Sequence, residues 1–390
     1  MVKVLSIFWI FLVLGLFFYT FTQVDLNLTL SQLSIWQQVQ KSLQYIGYFQ
    51  RPLATLLFLV LVFAFFASYI LILKLIKSKK FSKKQIWILV VLSALILGFS
   101  YNAFSYDIFN YIFDAKIITE YGMSPYDHRA LDFPADPMLP FMRWINRVYP
   151  YGPVWLGFTV PLSFIGFQFF LPTFFLFKAL MTLSYLGSCY AIYKIVEKTN
   201  KKNQLFSLAF FALNPFVLIE SLVSAHNDIV MMALLLFSLL FLFKNNILSG
   251  TLFVASVGVK FATIFFLPSF LWLLFSKDKE KNWEKAIILG VVTMLIAIIV
   301  ASLRTNFQPW YLLYVLPVAS LISQKKLILI PSVISSFVVL FEYVPYLYTG
   351  NWNPPIPTVL GCITLSAVVL SIIGVGLYVI KHKGNLRVIQ

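Results

Sequence analysis

Residues 52–76 read PLATLLFLVLVFAFFASYILILKLI, a run in which Lys74, near its end, is the only charged side chain. Roughly 20 mainly apolar residues cross about 30 Å of hydrocarbon as a helix, so this stretch alone is long enough to span a bilayer. Similar runs occur at 4–22, 85–103, 205–223, 228–243, 286–303, 310–323, 327–345 and 359–380. Two further apolar regions, 152–195 and 247–275, are too long for one helix. With 60% of 390 residues hydrophobic and only 11% charged, water cannot be the main solvent of this chain. The expected fold class is all-α: a polytopic transmembrane helical bundle of about 11–13 helices, in a single integral membrane domain over 1–390.

Orientation follows from charge. Lys77, Lys79, Lys80, Lys83 and Lys84 share one short loop, and further basic loops lie at Lys198 to Lys202, Lys277 to Lys285, Lys325 to Lys326 and Lys381 to Arg387. The positive-inside rule places these loops, and both termini, in the cytoplasm of a multi-pass cell-membrane protein. Asp107, Asp114, Glu120, Asp127, Asp132 and Asp136 crowd into 104–150, which is expected to be a large extracytoplasmic loop with helical structure. Region 247–275 lies between Lys244 and Lys277, so it must enter and return, as two half-helices meeting near Lys260. Gln23 to Gln50, with Trp36, Tyr45 and Tyr48, suits a helix lying on the membrane surface.

Several function classes drop out. The net charge of +16 sits in short loops between apolar runs and forms no basic arm or helix, so topology explains it and no nucleic-acid partner is expected. Cys189 and Cys362 lie in separate apolar runs, far from another thiol or a His cluster, which encodes neither a disulfide nor a zinc site. The first apolar run lacks a small-x-small cleavage pattern and reads as a retained span. No cofactor is expected: no Gly-rich nucleotide fingerprint is present, and one His among irregularly spaced carboxylates does not indicate a divalent metal.

The polar residues near membrane depth carry the chemistry. In SYDIFNYIFDAK, residues 105–116, helical spacing puts Asp107, Asn110, Tyr111 and Asp114 on one face, with Ile108, Ile112 and Phe113 turned away. Asp107 stands just after a long apolar run, in the partly dehydrated setting that suits a general base; the plainer reading is a helix cap after Ser105. In LNPFVLIESLVSAHNDIVMM, Glu220, His226, Asn227 and Asp228 gather at a span end, as a substrate contact or as a hydrogen-bonded turn. Lys260 is a cation within a long apolar run, and Arg304 precedes Gln308, Pro309, Trp310 and Tyr311. Both cations suit a lipid phosphate, although Arg304 can instead simply snorkel to the interface.

Taken in order, SYDIFNYIFDAK, G-x-x-PY at 122–126, YGP at 151–153, NP-x-x-L-x-E at 214–220, HND at 226–228, VGVK at 257–260 and PWYLLYVLP at 309–317 form a series. The series resembles the bacterial polyprenyl-phosphate-mannose-dependent α-mannosyltransferases of the GT-C superfamily. That resemblance implies a membrane-embedded inverting transferase with its active site on the outer face. It would move a hexose, mannose by analogy, from a polyprenyl-phosphate-linked sugar to a glycan or glycolipid acceptor of the cell envelope. The family's catalytic Asp, in the first large outer loop, falls on Asp107. Many relatives carry an adjacent acidic pair there, whereas Asp107 is flanked by Tyr106 and Ile108. Tyr111, Asp114, Tyr126, His226, Asn227, Asp228, Lys260 and Arg304 are the expected substrate contacts. The leading rival is a flippase or transporter of a lipid-linked sugar, which also needs intramembrane cations and broken helices.

Overall fold

A computed structural model describes residues 1–382, and among them every regular element is helical. The expected basic segment Lys381 to Arg387 therefore extends past the described residues. Six stretches are long and apolar enough to cross a membrane: Val2–Gln23, Arg51–Lys77, Phe170–Thr199, Lys279–Thr305, Lys326–Thr349 and Ile356–His382. A bent pair, Lys201–Ala212 with Pro215–Val223, is a seventh apolar stretch with the shape of a broken span or a re-entrant loop, and four shorter apolar helices accompany it: Pro153–Ile165, Asp228–Phe241, Asn246–Val259 and Phe261–Phe275. The protein is an all-helical, multi-pass membrane protein.

The N-terminal half is a frame. Helix α1 (Val2–Thr20) is tied to α4 (Lys83–Gly98) by the Trp9 indole, which donates to Ser93 Oγ at 3.0 Å. A capping box at Ser82 and Gln85 starts α4 and satisfies amide groups that the first turn leaves open. Between α1 and α3 (Arg51–Lys77) runs α2 (Ser34–Phe49), whose Gln44 amide donates to the Val24 and Asp25 carbonyls. Helix α5 (Asp107–Thr119) follows α4 after a short turn.

Region 152–195 resolves into two helices, α6 (Pro153–Ile165) and α7 (Phe170–Thr199). Their joint passes through Phe167 and Gln168, both left-handed at φ 52° and 58°, and the Gln168 amide anchors it to the Thr119 carbonyl at 3.0 Å.

The run 205–223 is not one straight helix. Helix α8 (Gln204–Ala212) stops before Asn214-Pro215, and the chain turns by 53° into α9 (Pro215–Leu218). Pro215 has no amide hydrogen to continue the ladder, so Asn214 Oδ1 caps the new helix by accepting from Phe216 N at 3.0 Å. A π-helical turn over Ile219–Val223 then widens the coil, and Ala225 adopts φ 56°. A left-handed alanine and a π-turn are both strained local choices that cluster at functional sites. Lys178 of α7 reaches into this widened end: its ammonium donates to the Leu222 carbonyl, to Val223 O at 3.2 Å and to Ser100 Oγ at 3.3 Å. It caps carbonyls that no water in the bilayer core could satisfy.

Region 247–275 breaks at Lys260. Helix α10 (Asp228–Phe241) leads into α11 (Asn246–Val259), and beyond Lys260 a 3-10 stretch, Phe261–Phe266, leads into α12 (Leu267–Phe275). The Tyr151-Gly152-Pro153 strand crosses this break so closely that a Cβ on Gly152 would lie 2.2 Å from the Gly258 carbonyl. Gly152 N donates to Val259 O at 3.1 Å. Only glycine permits that crossing.

After α13 (Lys279–Thr305), the expected span at 310–323 is instead a 3-10 stretch, Pro309–Tyr314, followed by the short α14 (Leu316–Ser320). Prolines 309 and 317 explain why no long helix forms there. Helices α15 (Lys326–Val338), α16 (Val344–Thr349) and α17 (Ile356–His382) close the chain, with α17 packed on α15 and otherwise largely exposed.

Replacing Lys178 with Met removes the cap on the Leu222 and Val223 carbonyls. Stability is expected to fall by about 3 kcal/mol, read as a lower midpoint of thermal unfolding in detergent. An unchanged midpoint would show that the carbonyls find other partners.

Candidate active site

The break in each of three segments points at one place. At the start of α5, Asp107 N donates to Ser105 Oγ at 3.1 Å, so Ser105 holds the first amide of the helix and the Asp107 carboxylate is left for other partners. That carboxylate sits at a helix N-terminus, where the peptide dipoles favour negative charge. The Trp144 indole donates to Oδ1 at 3.1 Å, the Tyr111 hydroxyl reaches Oδ2 at 3.5 Å one turn on, and His226 Nδ1 lies 3.5 Å from Oδ2.

The sequence pattern had split α5 into a polar and an apolar face. In the structure both faces are buried: Asp107, Asn110 and Tyr111 are covered as fully as Ile108, Ile112 and Phe113, and Asp114 is half-buried. The loop after α5 folds back over it. Lys116 pairs with Asp136 at 2.5 Å, and the Tyr121 hydroxyl donates to the same carboxylate at 2.6 Å. This clamp brings residues 143–147, RWINR, across the polar face. The Asn110 amide donates to the Trp144 carbonyl at 3.4 Å.

His226 is fixed by what surrounds it. The π-turn and the left-handed Ala225 let His226 N donate back to Glu220 O at 3.1 Å, and the ring faces Asp107 on one side and Glu220 on the other. Its Nε2 lies 3.3 Å from Glu220 Oε2, and the Tyr343 hydroxyl donates to Glu220 Oε1 at 2.6 Å. Trp310 stacks flat on the imidazole, with centroids 4.1 Å apart. An imidazole between two carboxylates bridges them and holds Asp107 in place from behind.

Lys260, at the break between the half-helices, pairs with Asp228 at 2.7 Å and stands among the rings of Tyr151, Tyr311 and Tyr314 at 5.5–5.9 Å. Between this pair and Asp107 lies Asn227. Its backbone amide donates to Tyr111 OH at 3.4 Å, while its fully buried side-chain amide has no hydrogen-bond partner among the described residues. Asp228 Oδ2, Ser221 Oγ and Ser224 Oγ share that condition. Buried polar atoms are nearly always paired, so these open groups mark the cluster as the candidate site.

The arrangement therefore brings Asp107, Tyr111, His226, Asn227, Asp228 and Lys260 together. Asp114 lies one turn farther along α5. Arg304 is exposed at the end of α13, and Tyr126 is 44% exposed and packs edge-on against Tyr149 at 5.0 Å; neither joins the cluster.

Sequence reasoning passed over Trp144, Arg147 and Tyr343, and grouped Glu220 with His226, Asn227 and Asp228 without singling it out. The Arg147 guanidinium lies 4.9 Å from the Trp144 ring and acts electrostatically on Asp107, Asp114 and Tyr151. The signal for it was the RWINR segment itself, two arginines and a tryptophan in an otherwise acidic loop. Tyr343 gave no signal, because its partner is 123 residues away.

Charge decides the state of the two carboxyls on α5. Burial pushes the Asp107 carboxyl up, but His226, Arg147 and Lys260 outweigh it and hold the group below its ordinary value, so it is ionised at neutral pH. Asp114 is pushed up to about 7 by burial, with Asp107 adding to the rise and Arg147 opposing it. A carboxyl raised on folding stabilises the fold at low pH and loses that contribution as pH rises through the folded value. Asp114→Asn is therefore expected to raise the unfolding midpoint most above pH 7, with a gain that shrinks as pH falls toward about 4, where the unfolded carboxyl is protonated as well. Parallel wild-type and variant melts across pH 5–9 check this.

Comparison with curated proteins and with solved structures yields no match. Residues 13–276 do match the MptA/B family, described as alpha-(1->6)-mannopyranosyltransferase, N-terminal domain. The match spans the frame, α5, the His226 turn and Lys260, and stops before Trp310 and Tyr343. The match covers about two thirds of the chain, and the chain belongs to the MptA/B family of alpha-(1→6)-mannopyranosyltransferases.

Proposed function

We propose that this mannosyltransferase takes mannose from a polyprenyl-phosphate-linked sugar and passes it, with inversion, to a glycan or glycolipid acceptor of the cell envelope. The reaction takes place on the outer face of the membrane, with both termini cytoplasmic. The observation that carries this reading is the Asp107 carboxylate: ionised, buried, held by Trp144 and Tyr111, and facing a cluster of unpaired polar groups.

Inverting transfer needs one base and one anion site. Asp107 takes the proton of the acceptor hydroxyl as that oxygen attacks the anomeric carbon, and the bond from that carbon to the phosphate oxygen breaks. The electron pair leaves with the polyprenyl phosphate, whose growing charge is met by Lys260 and Arg147. Asn227, with both ends of its amide open, binds sugar hydroxyls as donor and acceptor. Tyr111 and His226 hold the base, and Asp228 positions Lys260. Asp114 and Tyr126 line the approach along the loop, and Arg304 meets lipid phosphate at the membrane surface.

The test is turnover of a polyprenyl-phosphate mannose by protein reconstituted in vesicles with a cell-envelope acceptor. Asp107→Asn is expected to slow transfer about a thousandfold while donor binding persists. Lys260→Met is expected to raise the donor KM about tenfold. Donor that crosses the bilayer uncleaved, equally in wild type and Asp107→Asn, would mean that the protein is a flippase.

A further inference from the structure

A second polar cluster lies beside the base, and the transfer chemistry uses none of it. It is assembled from distant segments: Asp25 after α1, Tyr48 at the end of α2, Arg51 at the start of α3, Tyr106 before α5, Arg143 in the loop and Tyr346 on α16. Asp25 accepts from the hydroxyls of Tyr101 at 2.9 Å and Tyr106 at 3.2 Å. The exposed Arg143 guanidinium stands 4.5 Å from the Tyr106 ring and is coupled electrostatically to the Tyr106 and Tyr346 side chains. Trp352 stacks on Tyr346, with centroids 4.8 Å apart and planes at 17°, and remains 50% exposed.

The turn that carries Trp352 is placed deliberately. Gly350 has φ 76°, a left-handed conformation that favours glycine, and the turn lies close against the Arg51 guanidinium. Arg51 in turn stands 5.5 Å from the Tyr48 ring.

We propose that this surface is the acceptor subsite: it holds the sugar rings of an oligomannoside beyond the one being glycosylated. The inference rests on the transferase reading above. Flat aromatic rings with one free face, hydroxyls, a carboxylate and a guanidinium side by side match a sugar, which has an apolar ring face and polar edges. Aromatic anchors at a membrane surface have no need of a carboxylate in their midst.

Position supports the same assignment. Tyr106 immediately precedes Asp107, and Arg143 immediately precedes Trp144, whose indole holds the Asp107 carboxylate. Consecutive Cα atoms are about 3.8 Å apart, so the patch begins next to the base and runs away from it, as the tail of an oligosaccharide must. Tyr346 and Trp352 lie outside the residues that match the family, so acceptor preference is set by a part of the chain separate from the one that supplies the base.

The experiment uses the full chain in nanodiscs with α-1,6-mannotetraose as the probe, read by isothermal titration calorimetry without donor and by steady-state transfer with donor. Trp352→Ala and Tyr346→Ala are each expected to weaken mannotetraose binding and raise the acceptor KM about tenfold, with kcat and donor KM unchanged. Trp352→Phe, which keeps a flat ring, is expected to retain most of the binding. Equal acceptor KM and affinity in wild type and Trp352→Ala overturns the proposal, as does a rise in donor KM alone, which gives the patch to the lipid donor. If wild type consumes no donor, the transferase reading fails and the binding arm still decides: wild type that binds no mannotetraose sinks the subsite, and binding lost on Trp352→Ala sustains it.

Discussion

The line Asp107, His226, Glu220, Tyr343 is the constraint around which the molecule is arranged. Two carboxylates and an imidazole buried in a mostly apolar bundle are costly unless each meets a partner. Here each contact is supplied by a different element: α5, the turn after the π-helix, the π-helix itself and the segment between α15 and α16. To bring them together, the chain gives up regular helix at Pro215, at Ile219–Val223 and at Ala225. Those irregularities free backbone carbonyls, which the Lys178 ammonium from α7 then caps. The site and the bend are thus one structure, and neither stands without the other.

The same logic recurs at Lys260. A cation cannot sit mid-span in a continuous apolar helix at low cost, but at the meeting point of two half-helices it faces Asp228 and three tyrosine rings. The glycine crossing of residues 152 and 258 brings Tyr151 into that ring cage. The irregular backbone here is covered on one side by the Tyr151 to Pro153 segment, while Phe261 and Ile264 just beyond it stay exposed.

Division of labour follows the chain. Residues 13–276, which match the family, hold the carboxylate, the imidazole and the lysine. Residues beyond them supply the Trp310 lid on the imidazole, the Tyr343 anchor for Glu220, and the Tyr346–Trp352 stack. Family chemistry and the surroundings that tune it therefore come from different parts of one bundle.

Composition and hydropathy alone determined that the protein is helical and multi-pass, because a bilayer accepts hardly anything else from such a sequence. The motif series determined the family, since its order and spacing survive without knowledge of contacts. Spacing along α5 grouped Asp107 with Tyr111, and isolation in an apolar run singled out Lys260. What the sequence could not reveal was which polar groups meet: Arg304 lies exposed at a helix end, apart from the cluster, while Trp144 and Arg147, from the far end of the outer loop, act on the Asp107 carboxylate. Local patterns encode the periodicity of one helix, whereas the pairing of Glu220 with Tyr343 across 123 residues depends on how the bent span packs, and only the tertiary structure decides that.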